Sequence, residues 1–181
     1  LVVVSLVLTI IASSTTFNAI TVALPKLFQE RLAEITQNTA LLGLIASTVY
    51  VFGALAQYII GNLLDKYPLK KIFMPLAIFL VAMLYIAAET SGLLLILISI
   101  GIVISIFGQV TVNDTMVGKY TSDEWRARAF AVRYFLGFTA AGASVGLVAL
   151  LYANGGFALM LQAFAAFCFL VVIGAFIFPT E

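Results

Sequence analysis

Charged side chains in this sequence are gathered into a few short clusters, and that segregation limits the available folds more than any other feature. Between the clusters lie residues 1–25, 38–64, 72–88 and 134–180 without a single Asp, Glu, Lys or Arg, and 90–118 with Asp114 as its one exception. The hydrocarbon core of a bilayer, ~30 Å thick, takes about 20 helical residues. Four of the runs therefore fit one crossing each. The run from Tyr134 to Thr180 holds 47 uncharged residues. As one helix it would reach ~70 Å, so it has to fold back, and Asn154-Gly155-Gly156 in its middle supplies the permissive backbone a hairpin needs. The expectation is an all-α membrane protein, one domain over 1–181, with six transmembrane helices at approximate spans 2–25, 39–64, 72–89, 91–114, 126–153 and 156–178.

Composition agrees and excludes several functions. Hydrophobic residues make up 64% of the chain and charged ones 9%, against roughly half and a quarter in soluble domains, so a soluble fold has nowhere to bury the apolar surface. The formal net charge of +1 offers no field for nucleic acid. The chain has no histidine and one cysteine, Cys168, set in an apolar run as a small buried hydrophobe. An internal disulfide is impossible, and no metal site, cofactor or catalytic residue is expected. An intramembrane enzyme would need a nucleophile with its base, or a metal cluster, facing one cavity; those parts are missing. The opening Leu1, already inside an apolar run, suggests a chain cut from something longer. The run to Leu24 is too long for a signal peptide and has no basic leader.

With alternating crossings, Lys66, Lys70, Lys71, Lys119, Arg126, Arg128 and Arg133 collect on one side, and Lys26 and Arg31 on the other. This asymmetry places both termini in the cytoplasm of a cell (inner) membrane. The outward connection from Pro25 to Asn38 reads as a helix extension or a short interfacial helix, a solvated cap in preference to a binding element.

Polar periodicity separates the helices. In the first, Ser5, Thr9, Ser13 and Thr16 fall within roughly 80° of one another, and Ser14, Asn18 and Thr21 form a second strip. In the fourth, Ser105, Gln109 and Asn113 follow one another at four-residue steps on one face. The third and sixth are the most apolar. Helices one and four thus read as inward-facing, with Thr16, Asn18, Gln109 and Asn113 as cavity candidates and Tyr50 and Gln57 of the second helix behind them. The same groups also suit interhelical hydrogen bonding. Gly142 and Gly146 form a GxxxG pair, backed by Gly137, and read as helix packing.

Between the second and third helices the sequence runs Gly61-Asn62-Leu63-Leu64-Asp65-Lys66-Tyr67-Pro68-Leu69-Lys70-Lys71. This segment resembles the signature loop of the major facilitator superfamily, G-x-L-A-D-R-x-G-R-K: Gly61, Leu63, Asp65, Lys66, Lys70 and Lys71 match by position or charge, and Pro68 replaces the second glycine. A glycine there lets a neighbouring helix approach, and the aspartate can accept hydrogen bonds and cap a helix start. Lysines alone would set topology; Asp65 adds nothing to orientation. Thr121-Ser122-Asp123-Glu124-Trp125-Arg126-Ala127-Arg128 is similar to the family's loop before the fifth helix of a repeat, with Thr121 and Glu124 at capping-box spacing and Tyr120 and Trp125 at the interface. Arg133, two turns further, is expected to snorkel or to pair with Asp114 or Asp65.

The resemblance implies one six-helix repeat of a major facilitator fold, taken as the C-terminal half of a twelve-helix secondary active transporter. Such a protein moves a small solute by alternating access. The loop residues Gly61, Asp65, Lys66, Lys70 and Lys71, with Arg126, Arg128 and Arg133, would act in cytoplasmic latching. Partners would be the lipid bilayer, a small-molecule solute and the other six-helix half. The alternative is a six-helix channel or a non-transporting assembly or signalling subunit. No charge is expected at mid-membrane, so a coupling acid or an anion-gripping base would come from the other half.

Overall fold

The computed structural model describes residues 2–177, with side chains from Leu6 onward. Among the described residues the chain is helical throughout, in five elements: α1 (Val2–Arg31), α2 (Thr39–Leu64), α3 (Leu69–Glu89), α4 (Gly92–Tyr120) and α5 (Asp123–Ile177). Each is long and apolar enough to cross a membrane. A helix satisfies its own backbone groups, which hydrocarbon requires of a spanning segment. The exterior carries Leu44, Tyr58, Leu93, Phe135 and Phe138 exposed, an apolar surface that suits lipid and not water.

Six helical elements were expected and five are present, because the last two run together through a break with no coil between them. Inside α5 the helical dihedrals fail at Gly155 (φ −164°, ψ 21°) and Gly156 (φ 63°, ψ −160°). Two flanking contacts show what the break does. A side chain at Gly137 would begin 3.3 Å from Ser14 Oγ, while Cys168 Sγ lies 3.3 Å from Thr16 Oγ1. In a straight helix residues 137 and 168 would stand ~46 Å apart; here they touch α1 two residues apart. The chain therefore reverses at the glycines, and α5 is two antiparallel arms, with the Tyr152 and Phe157 ring centres 4.8 Å apart across the bend.

Other boundaries shift by a turn or two. Helix α1 continues through Pro25 to Arg31, so the outward connection is a helix extension. α4 runs on past Asp114 to Tyr120, and α5 starts at Asp123. Thr121 is the C-cap of α4 and not the start of a capping box. The side chain of Ser5 and the end of the last expected span at Phe178 lie outside the described residues.

Helix α4 forms the centre. Its Gly101 lies under Phe79 and Met83 of α3, its Gly108 under Leu76 and Ile60, and its Val103 and Phe107 press on Gly53 of α2, where an added Cβ would sit 2.7 Å from Val103. The buried apolar side chains stack in two tiers along the bundle. One is built around Phe28, Leu84, Leu95, Ile102 and Phe164, the other around Leu64, Phe73, Val112, Met116 and Val171.

Arg31, expected in a solvated cap, instead closes the C-terminus of α3. Its Nη1 donates to the carbonyls of Ala87, Ala88 and Thr90 at 3.0, 2.7 and 3.0 Å. A cation on the last carbonyls of a helix satisfies groups that have no partner within it and complements the dipole. Arg31→Ala is expected to destabilise the chain by about 1.5–3 kcal/mol, the range for hydrogen bonds to a charged group. Thermal unfolding in detergent checks this; an unchanged midpoint would show that water replaces the guanidinium without loss.

Candidate functional site

A cavity of about 190 Å³ opens between α1, α4 and the first arm of α5. Helix α1 contributes Ser13, Ser14, Phe17 and Asn18; α4 contributes Val110 and Asn113; α5 contributes Arg133, Tyr134, Gly137 and Phe138. The helices can surround a space here because Gly137 brings α5 against Ser14 without a side chain between them. Residues 13–18 lie at the middle of α1, and Arg133 is ten residues into α5, about 15 Å along its axis. A guanidinium therefore lines the cavity at the level of the middle of α1. Spacing along α5 alone did not reveal which part of α1 Arg133 would meet.

Arg133 is held from three directions. Its Nε lies 2.8 Å from Asp114 Oδ1, in a contact bent away from ideal hydrogen-bond alignment. Its Nη2 donates to the carbonyl of Val110 at 3.4 Å, and the guanidinium carbon sits 4.9 Å from the centre of the Tyr134 ring. Of the two acids that sequence offered as partners, Asp114 is the one used. Asp65 is exposed, with no ion-pair partner among the described residues.

The two polar strips of α1 part company. Ser14 and Asn18 face the cavity. Thr21 Oγ1 bonds back to the Phe17 carbonyl at 2.7 Å. Thr16 instead turns to the second arm of α5, where its hydroxyl meets Cys168, and also donates to the Ala12 carbonyl at 2.9 Å. Most of these donors are spent within α1: Ser13 on Thr9, Thr15 on Ile11, Asn18 on Ser14. Such back-bonding lets a helix carry hydroxyls through hydrocarbon without any cavity.

On α4 the three-residue stripe divides similarly. Ser105 bonds back to the Gly101 carbonyl at 2.9 Å. Asn113 lines the cavity and donates from Nδ2 to Ser13 Oγ at 2.7 Å, while its buried Oδ1 has no partner among the described residues. Gln109 is fully buried, neither of its amide atoms has a hydrogen-bond partner among the described residues, and it does not line the cavity.

Tyr50 has a different task from the cavity position expected of it. Pro25 lacks an N–H, so the carbonyl of Thr21, four residues before it, loses its helical donor. The Tyr50 hydroxyl donates to that carbonyl at 2.9 Å, joining α2 to α1 where the proline interrupts the ladder. Phe107 packs between the rings of Phe17 (4.9 Å) and Tyr50 (6.2 Å). Gln57 is half-buried on α2 and lies outside the cavity. Tyr134 and Phe138 were not singled out from sequence, although Phe130, Tyr134 and Phe138 recur every four residues and stack along α5.

The charged loop between α2 and α3 is organised by its backbone. Asp65 is the C-cap of α2, and the N-cap of α3 is Pro68 with no side-chain bond. The expectation that Asp65 caps a helix start is thus corrected, since Pro68 occupies that position. Lys119 of α4 donates to the Leu64 carbonyl at 3.2 Å and Lys70 to the Phe176 carbonyl at 2.7 Å; Lys66 and Lys71 are exposed. A Cβ at Gly61 would lie 3.9 Å from Thr111, ordinary contact, so close approach does not demand glycine there. Arg126 pairs with Asp123 at 2.7 Å and Arg128 stacks 4.8 Å over Trp125, both at the exposed start of α5. Gly142 and Gly146 meet nothing within 4 Å, so the GxxxG pair packs against no helix among the described residues.

Long apolar helices, each able to cross a membrane, define a polytopic helical membrane protein. The chain matches the family model of the Major Facilitator Superfamily over residues 6–181, and it belongs to that superfamily, a family of transporters and not of enzymes. Comparison with the curated proteins and with the solved structures returns no match.

Proposed function

We propose that the chain is a six-crossing unit of a secondary active transporter that carries a small solute by alternating access. The two arms of α5 count as separate crossings, because each is long enough to span and they run in opposite directions about Gly155 and Gly156. Counting six crossings, the basic clusters on one side support a topology with both termini in the cytoplasm of a cell (inner) membrane. The unit would act as one half, taken as the C-terminal one, against a second six-helix half that closes the cavity. The observation that carries this reading is the cavity between α1, α4 and α5, lined by apolar and polar side chains together, in a superfamily member. Asn18 and Asn113 are its solute-facing groups; Thr16, Gln109, Tyr50 and Gln57 support the packing around it.

On this reading the exposed Asp65, with Lys66 and Lys71, stands free to meet the other half on the cytoplasmic side, while Lys70 and Lys119 tie the loop to its own bundle. Vesicles holding the full chain should accumulate a solute from a screened panel. Asp65→Asn should slow initial uptake roughly 5-fold or more, the lower end of a typical coupling between states, with the inserted amount unchanged. Uptake at the parental rate would remove the latch role.

A further inference from the structure

We propose that the cavity recognises its solute through a carboxylate, with Arg133 as the residue that grips it and Asp114 as the resting counter-ion that gives way. This deepens the transport reading and rests on it for the claim that the cavity is a solute site. The argument starts from an asymmetry in the ion pair. The Arg133 side chain is 11% exposed and the Asp114 side chain 35%. If the pair separates, Arg133 is the more enclosed of the two, and a buried cation demands a replacement anion. Arg133 also keeps two supports that do not involve Asp114, the Val110 carbonyl and the Tyr134 ring. The guanidinium is therefore the fixed member and the carboxylate the exchangeable one.

Geometry places the fixed member to receive a ligand. Arg133 lines the cavity and Asp114 does not, so an incoming anion approaches the guanidinium from the cavity while Asp114 holds it from behind. Asp114 uses only the Nε edge, and a planar five-donor fork has capacity for a second, bidentate carboxylate. Uncharged residues complete the site. Asn113 of α4 and Asn18 of α1 line the same cavity as Arg133, amide side chains suited to a hydroxyl or amine next to the solute's carboxylate. A cavity of about 190 Å³ suits the head of a small acid.

The test reads binding apart from transport. The full chain, purified in detergent, is titrated by thermal shift and calorimetry with matched pairs: acetate and acetamide, lactate and lactamide, benzoate and benzamide. At least one acid should bind and raise the unfolding midpoint while its amide does neither. Asp114→Asn should tighten that acid roughly tenfold by removing the competitor, and Arg133→Gln should abolish binding. Should Arg133→Gln fail to fold, Arg133→Lys retains the charge but not the fork and should weaken binding without abolishing it. Amides that bind as well as acids would leave the cavity a solute site and overturn the carboxylate assignment. So would acid binding that survives Arg133→Gln, or that Asp114→Asn leaves unchanged or weaker, or a panel in which no acid binds. An acid that binds but is not accumulated by vesicles would leave the role of Arg133 standing and remove the transport reading.

Discussion

Gly156→Val is expected to unfold the detergent-solubilised chain at a clearly lower temperature than the parent and to reduce its yield in membranes. Gly156 sits at φ 63° and ψ −160°, a region essentially closed to side-chain-bearing residues, where strain costs of order 1–3 kcal/mol and β-branching adds to it. The chain has no cheap way to relax, since the neighbouring Gly155 is also crowded: a Cβ there would lie 2.7 Å from Leu159. The reversal sets the second arm of α5 against α1 and α3, where Phe164, Cys168 and Val171 join the core. A strained bend would therefore pull on both tiers. Gly156→Ala should lie between parent and valine variant. Equal midpoints for all three would mean that the reversal does not depend on this backbone conformation.

The second large effect concerns the ion pair in the cavity wall. Arg133→Leu removes the cation beside Asp114 and leaves a partly buried carboxylate alone. Breaking a fully buried pair costs 3–5 kcal/mol. Asp114 is 35% exposed and so only partly desolvated, and about 1–3 kcal/mol is expected. Adding Asp114→Leu should recover a large share, because two apolar groups of similar size need no partners. A double-mutant cycle measures this coupling directly, and additive losses would show that the two charges are stabilised independently. The cycle also separates stability from solute recognition: the double variant should fold and yet bind no acid.

Much of the architecture was legible in the sequence because hydrocarbon imposes a coarse rule that single residues obey independently. Charges mark the ends of α2 and α3 to within a few residues, and the turn at Gly155 and Gly156 could be named because 47 uncharged residues cannot cross once. The one miscount, five elements for six, arose where two glycines reversed the chain with no intervening coil. The site was less legible. Periodicity identified polar faces on α1 and α4, but a hydroxyl that bonds its own helix, as Thr16 does to Ala12, looks the same in sequence as one that faces a cavity.

Sequence alone determined that the chain is an all-helical membrane protein with long apolar helices, since that follows from transfer of side chains and backbone into hydrocarbon one residue at a time. Tertiary structure alone decided that Ser14 and Asn18 face the cavity while Thr16 and Gln109 do not, that Tyr50 serves the carbonyl freed by Pro25, and that Arg133 meets Asp114 beside the middle of α1. Each of these depends on how one helix is rotated and shifted against another. That rotation is set by where Gly53, Gly101, Gly108 and Gly137 allow helices to touch, a property of pairs of surfaces that no single helix contains.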